Sequence, residues 1–133
     1  MQRTERILIK PGPPNFGACH RLCGQARRLG NCAVYTLRQR FFAKDPLLTR
    51  SELDKTTRSD NAEVYRSMPS AASAQRQTQI ISEQMKSWLM ASASYRKNPE
   101  KFKARPNLPG YKKRYRSFVV GRNGYKIENH RLY

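Results

Sequence analysis

The chain has 133 residues, enough for one domain with a modest core, and its 27 Lys and Arg against 9 Asp and Glu leave a formal charge of +18. A charge of that size repels itself in the compact state unless a polyanion neutralises it, which points to nucleic acid first and a membrane surface second. No run of about 18 apolar residues exists, so nothing is expected to span a bilayer. The first residues, MQRTERILIKPGPP, do not read as an export signal, and a cytoplasmic location follows as the expectation.

In chain order, Arg6–Lys10 reads as a short strand stopped by the turn Pro11–Pro14. Asn15 is a plausible N-cap for the next element. From Gly17 to Phe42, Leu22, Ala26, Leu29, Ala33, Leu37 and Phe41 recur at helical spacing. Arg21, Arg27, Arg28, Arg38 and Arg40 lie mostly off that stripe, so one side of the helix can meet phosphates. Gly30 and Asn31 weaken its middle, where a kink or break is allowed. Thr49 or Ser51 can cap a short helix over Glu52–Arg58, and a further turn can cover Ala62–Arg66. Pro69 suits a first helical position. A long helix then runs from Ser70 to Arg96 with Ala74, Ile81, Met85, Trp88 and Tyr95 facing inward, and the two long helices form the core of a small bundle.

Asn98–Arg116 is the most distinctive stretch. Between Arg96 and Arg116 nine Lys or Arg face one Glu, including Lys101, Lys103, Arg105, Lys112, Lys113, Arg114 and Arg116. Pro99, Pro106, Pro109 and Gly110 oppose helix, because proline lacks the N–H and clashes with the preceding turn. Phe102, Tyr111 and Tyr115 are interleaved with the cations, and such rings suit unstacked bases as the cations suit phosphates. The segment reads as a basic, semi-rigid strap laid on nucleic acid. The blander alternative is a charged linker between packed elements. Beyond it, Ser117–Val120, the turn Arg122-Asn123-Gly124 and Tyr125–Asn129 read as a β-hairpin. The expected fold class is therefore α+β, a helical bundle inserted into a β module.

Catalysis finds little support. The nine acids form no metal-ligand pattern, and Gly12, Gly17, Gly24 and Gly30 are too far apart for a phosphate-cradling loop. Cys19, Cys23 and Cys32 are odd in number, and on a helix His20 points about 100° away from Cys19 and Cys23. Buried thiols are the expectation, with no metal and no cofactor.

The blocks Asn98-Pro99, Lys101-Phe102, Pro106, Leu108-Pro109 and Tyr111-Lys112, followed by the Asn-Gly turn and Ile127, resemble the N-terminal part of the TnpB (OrfB) family. These are transposon-encoded RNA-guided nucleases related to type V CRISPR effectors. Ile9-Lys10-Pro11, the segment 31–42, Met68-Pro69-Ser70 and Ala74-Gln75 fit the same order. The resemblance implies a wedge-like partial β-barrel, with its first strand in 1–14 and its strap and hairpin in 98–133, split by a helical recognition module over 15–97. It implies guide RNA and target-adjacent DNA as partners. Gln75 falls on the polar residue that faces the duplex in that family, beside Arg76, while Arg122 and Asn123 lie in the hairpin turn. The nuclease acids and zinc ribbon have no counterpart in these residues, so no cutting chemistry carries over, and a separate nuclease-domain chain is a conceivable partner. An unrelated basic RNA-binding or ribosome-associated protein is the alternative reading. A structural or membrane-surface role fits less well, since the cations are not confined to one face of an amphipathic helix.

Overall fold

In the computed structural model, described for residues 4, 6–12, 15–120, 127–128 and 131–132, residues Phe16–Phe42 form one continuous helix, α1. Asn15 occupies its N-cap without a side-chain hydrogen bond. Gly30 and Asn31 do not interrupt it, because their positions are used for packing, as shown below. α1 ends in a Schellman arrangement: the Lys44 amide donates to the Phe41 carbonyl (3.1 Å) and the Asp45 amide to that of Arg40 (3.0 Å). The arrangement forces Lys44 into the left-handed region at φ 60°, a place usually held by glycine.

α2 (Arg50–Asp60) begins where the Thr49 hydroxyl accepts from the Glu52 amide at 3.3 Å. α3 is the short turn Ala62–Arg66. α4 (Ala71–Lys97) starts one residue later than its periodicity suggests, since Ser70 rather than Pro69 sets the boundary. The Ser70 and Ser73 side chains cap each other's backbone amides at 3.2 and 3.3 Å.

Two apolar clusters hold the helices together. Ala33, Val34 and Leu37 of α1 meet Leu53 of α2 and Ile81 and Met85 of α4. Leu29 of α1 meets Tyr65, Met68 and Ala74. Leu29, Leu53 and Ile81 are wholly buried, each contributing about 1.5–3 kcal/mol of transfer free energy. The expected stripes are largely those observed, although Leu22, Phe41, Trp88 and Tyr95 are only half-buried. Polar Thr78 sits inside, its hydroxyl donating to Asp54 Oδ1 at 2.9 Å, where the Tyr65 hydroxyl also donates at 3.0 Å. Burial first, then the hydrogen bond to Asp54 and that carboxylate's charge, push the Tyr65 phenol up to about 12, against a smaller opposing pull from Arg58.

The β half of the expected fold is not formed among the described residues. Residues 6–10 pair with nothing among the described residues, and Ile7, Leu8 and Ile9 stand 77, 81 and 41% exposed. Ser117–Val120 is not a strand either, because Phe118 packs on the second helical cluster. The one ladder among the described residues joins β1 (Ile127–Glu128) to antiparallel β2 (Arg131–Leu132), with Ile127 opposite Leu132 and Glu128 opposite Arg131. The pairing therefore falls later in the chain than the expected hairpin of 117–120 with 125–129. A ladder this short is no barrel and is marginal by itself. The protein is helical, not an α+β wedge with an inserted bundle. Among the described residues the runs 6–10 and 117–120 lack strand partners, and the helices offer the larger apolar surface. No helix among the described residues is long and apolar enough to cross a membrane.

Candidate nucleic-acid interface

The strap leaves α4 through a single 3-10 turn, Pro99–Lys101, and then runs without regular structure to residue 120. It does not hang free. Phe102 sets its ring edge-on to Tyr95 of α4 at 5.7 Å. The Trp88 indole N–H donates to the Pro106 carbonyl at 3.3 Å, and Leu108 packs on the first apolar cluster. Arg38 of α1 donates from Nη1 to the Pro109 carbonyl at 3.0 Å while lying over the Tyr111 ring at 5.7 Å and the Phe42 ring at 5.4 Å.

Asn31 is the pivot. Its Nδ2 donates to the Lys112 carbonyl and its Oδ1 accepts the Lys112 amide, both at 3.0 Å, so one side chain satisfies both main-chain groups of that residue. The same Oδ1 accepts from Arg116 Nη2 at 3.0 Å, and Nη2 also donates to the Gly110 carbonyl at 3.2 Å. The Arg116 amide donates to the Cys23 carbonyl of α1 at 3.2 Å. Arg116 is only 7% exposed, and its side chain crosses α1 directly over Gly30. A Cβ at Gly30 would stand 2.4 Å from Arg116 Cδ, so this close approach requires glycine. Burial lowers the pKa of the Arg116 guanidinium.

The clamp turns the other cations outward. Lys101, Lys103, Arg105, Lys112, Lys113 and Arg114 are exposed, and the Tyr111 and Tyr115 rings are 50 and 56% exposed. Thus the structure brings together eight of the site residues expected from sequence on one docked segment: those six cations, Tyr111 and, turned inward, Arg116. Arg38 sits beneath the strap as a fastening. Arg28 is exposed on α1, while Arg27 is half-buried with its Nε lacking a hydrogen-bond partner among the described residues.

Gln75 and Arg76 occupy a different surface. Gln75 is exposed beside Arg50, Lys55 and Arg58, lining a cleft of about 400 Å³ between α2 and α4. Arg76 is half-buried and pairs with Glu83 at 3.6 Å. Arg122 and Asn123 lie outside the described residues. Sequence reasoning missed Asn31, whose only local signal was its neighbour Gly30, and it did not single out the basic face of α2.

Ion pairing does little to offset the charge. The ion pairs among the described residues are Arg40–Asp45 (3.9 Å) and Arg76–Glu83 (3.6 Å), both partly solvated and worth little. Cys19, Cys23 and Cys32 are free and half-buried rather than fully enclosed, and burial raises the Cys32 thiol. His20 stacks on Phe16 with ring centroids 5.7 Å apart. Among the described residues no three His, Cys, Asp or Glu side chains converge to hold a metal ion. Such a surface can do what a row of exposed cations and rings does chemically: neutralise phosphates and stack on bases. No protein-family model, curated protein or solved structure matches this chain.

Proposed function

We propose that this chain is a nucleic-acid-binding module that holds RNA along the strap, acting in the cytoplasm as the guide-RNA- and target-adjacent-DNA-gripping part of a TnpB-like protein, without nuclease chemistry of its own. One observation carries the reading. A segment rich in like charges is fixed to the helices, among the described residues, without any carboxylate partner: it is held by the Asn31 side chain, the Trp88 indole, the Arg38 guanidinium and the Cys23 carbonyl. That arrangement leaves Lys112, Lys113 and Arg114 exposed and without an acidic partner among the described residues, beside exposed tyrosines. Holding cations rigid and unpaired costs self-repulsion, which a polyphosphate relieves on binding.

The block order of the sequence supports the TnpB-like assignment, and a separate nuclease-domain chain would be its natural complement. The absence of the wedge barrel from the described residues favours a second reading, an unrelated basic RNA-binding or ribosome-associated protein. An adjacent reading frame encoding nuclease acids and a paired-cysteine zinc ribbon distinguishes the first from the second.

The test is direct. The purified protein should retain RNA at low ionic strength and release it in high salt. Changing Lys112, Lys113 and Arg114 together to Gln should flatten the dependence of log affinity on log salt by about 2, three lost phosphate contacts at roughly 0.7 each for a single strand. A matched change at Cys19 and Cys23 should leave that dependence alone. Failure to bind either RNA or duplex DNA at low salt would remove the proposal.

A further inference from the structure

A second surface beside the strap has a different character. The end of α1, the second half of α4 and residues 105–108 enclose a cleft of about 580 Å³, within the range of roughly 300–1,000 Å³ that small ligands occupy. Its wall is aromatic. Phe41 meets Trp88 edge-on, with centroids 5.2 Å apart and planes at 86°, and Tyr95 and Phe42 complete the lining. These rings are not closed into the core: Phe42 is 60% exposed, and Phe41, Trp88 and Tyr95 are half-buried. The Trp88 indole is fixed by its bond to the Pro106 carbonyl, so the wall is set before anything enters.

The rim is cationic and polar. Arg96 and Arg105 line it, both exposed and with no acidic partner among the described residues. Ser92 and Asn107 line it too, and their side chains make no hydrogen bond among the described residues, leaving a hydroxyl and an amide to meet a polar edge. A flat ring with hydrogen-bonding edges and an anion on each side fits this combination. An aliphatic guest would leave the rim unused, and a bare phosphate would leave the wall unused.

We infer that this cleft takes one unpaired nucleobase of a bound RNA, stacked on the aromatic wall, while Arg96 and Arg105 hold the flanking phosphates. The inference rests on the RNA-binding reading and adds to it a preference for unpaired over fully paired RNA, because a base inside a duplex cannot leave its stack without disrupting the pair.

Trp88 is the only tryptophan, so its fluorescence reports on the cleft. A short unstructured RNA strand should quench it saturably, whereas its blunt duplex, inorganic polyphosphate and polyglutamate should not. Phe42→Ala, at an exposed position outside the core, should weaken strand binding about fivefold or more and duplex and polyphosphate binding by much less. Strand binding with neither quenching nor sensitivity to Phe42→Ala overturns the cleft assignment and leaves the RNA-gripping reading intact. Equal quenching by the duplex or by polyglutamate also overturns it. Binding of no polyanion at all overturns both.

Discussion

Gly30→Ala separates the strap from the helices it rests on. In an isolated helix this change is favourable by up to about 1 kcal/mol, since alanine has the better propensity. Here the new methyl would stand 2.4 Å from Arg116 Cδ and 2.5 Å from Nε, distances no side chain tolerates. Arg116 cannot slide aside freely, because its Nη2 is held by both Asn31 and the Gly110 carbonyl. Losing those two hydrogen bonds from a charged group, at about 1.5 kcal/mol each, costs docking about 3 kcal/mol. That is roughly a hundredfold rise in the undocked population. The Lys112 and Arg116 amides, which donate to Asn31 and Cys23, should therefore exchange with solvent about a hundred times faster while the helical circular-dichroism signal persists. Gly24→Ala is the control, because a Cβ there meets nothing within 4 Å. It should stabilise α1 and leave both amides as slow as in the parent. If Gly30→Ala keeps the parental exchange rates, or Gly24→Ala accelerates them equally, the clamp described above is not what holds the strap.

Three other changes test the energetics of the bundle. Thr57 is wholly buried and its hydroxyl has no partner among the described residues, so Thr57→Val should raise stability by about 1 kcal/mol, seen as a higher urea midpoint at unchanged slope. Lys44→Gly should add roughly 0.5–1 kcal/mol, the relief of a left-handed residue (about 1–2) less the extra chain freedom of glycine (about 0.5–1), read by the same titration. The Tyr65 phenol lies above its unfolded value of 10, so its contribution is complete below pH 10 and is lost as pH climbs through about 12. The stability difference between the parent and Tyr65→Phe should fall across that interval, and a flat difference would contradict the Asp54 contact.

The helices were legible because their evidence is local and repeated. Ala26, Leu29, Ala33 and Leu37 recur at the pitch of α1, and Thr49 announces a start that a hydrogen bond then completes, whereas Pro69 points to a start ahead of the Ser70 cap. The strap's basic and aromatic make-up was legible too, but its placement was not. Asn31 to Lys112 and Arg38 to Pro109 are isolated pairings between residues 81 and 71 positions apart, which leave no period in the sequence. Gly30-Asn31 looked like a weak point in α1 and is the seat on which another segment rests. Arg116 could not be told from Arg114 by type, although one is buried and the other exposed. The β reading failed for a related reason. Arg6–Lys10 and Ser117–Val120 have strand-like composition, but composition does not name a partner, and the second run found its partner in a helix.

That the strap's cations have no carboxylate partner among the described residues has an outcome visible with the protein alone. Small ions shield the mutual repulsion of side chains that the fold crowds together, so moderate potassium chloride should raise the melting temperature of the unliganded protein. Under the proposed function the same addition should pry polyanions away, so heat resistance and grip would move in opposite directions along one titration.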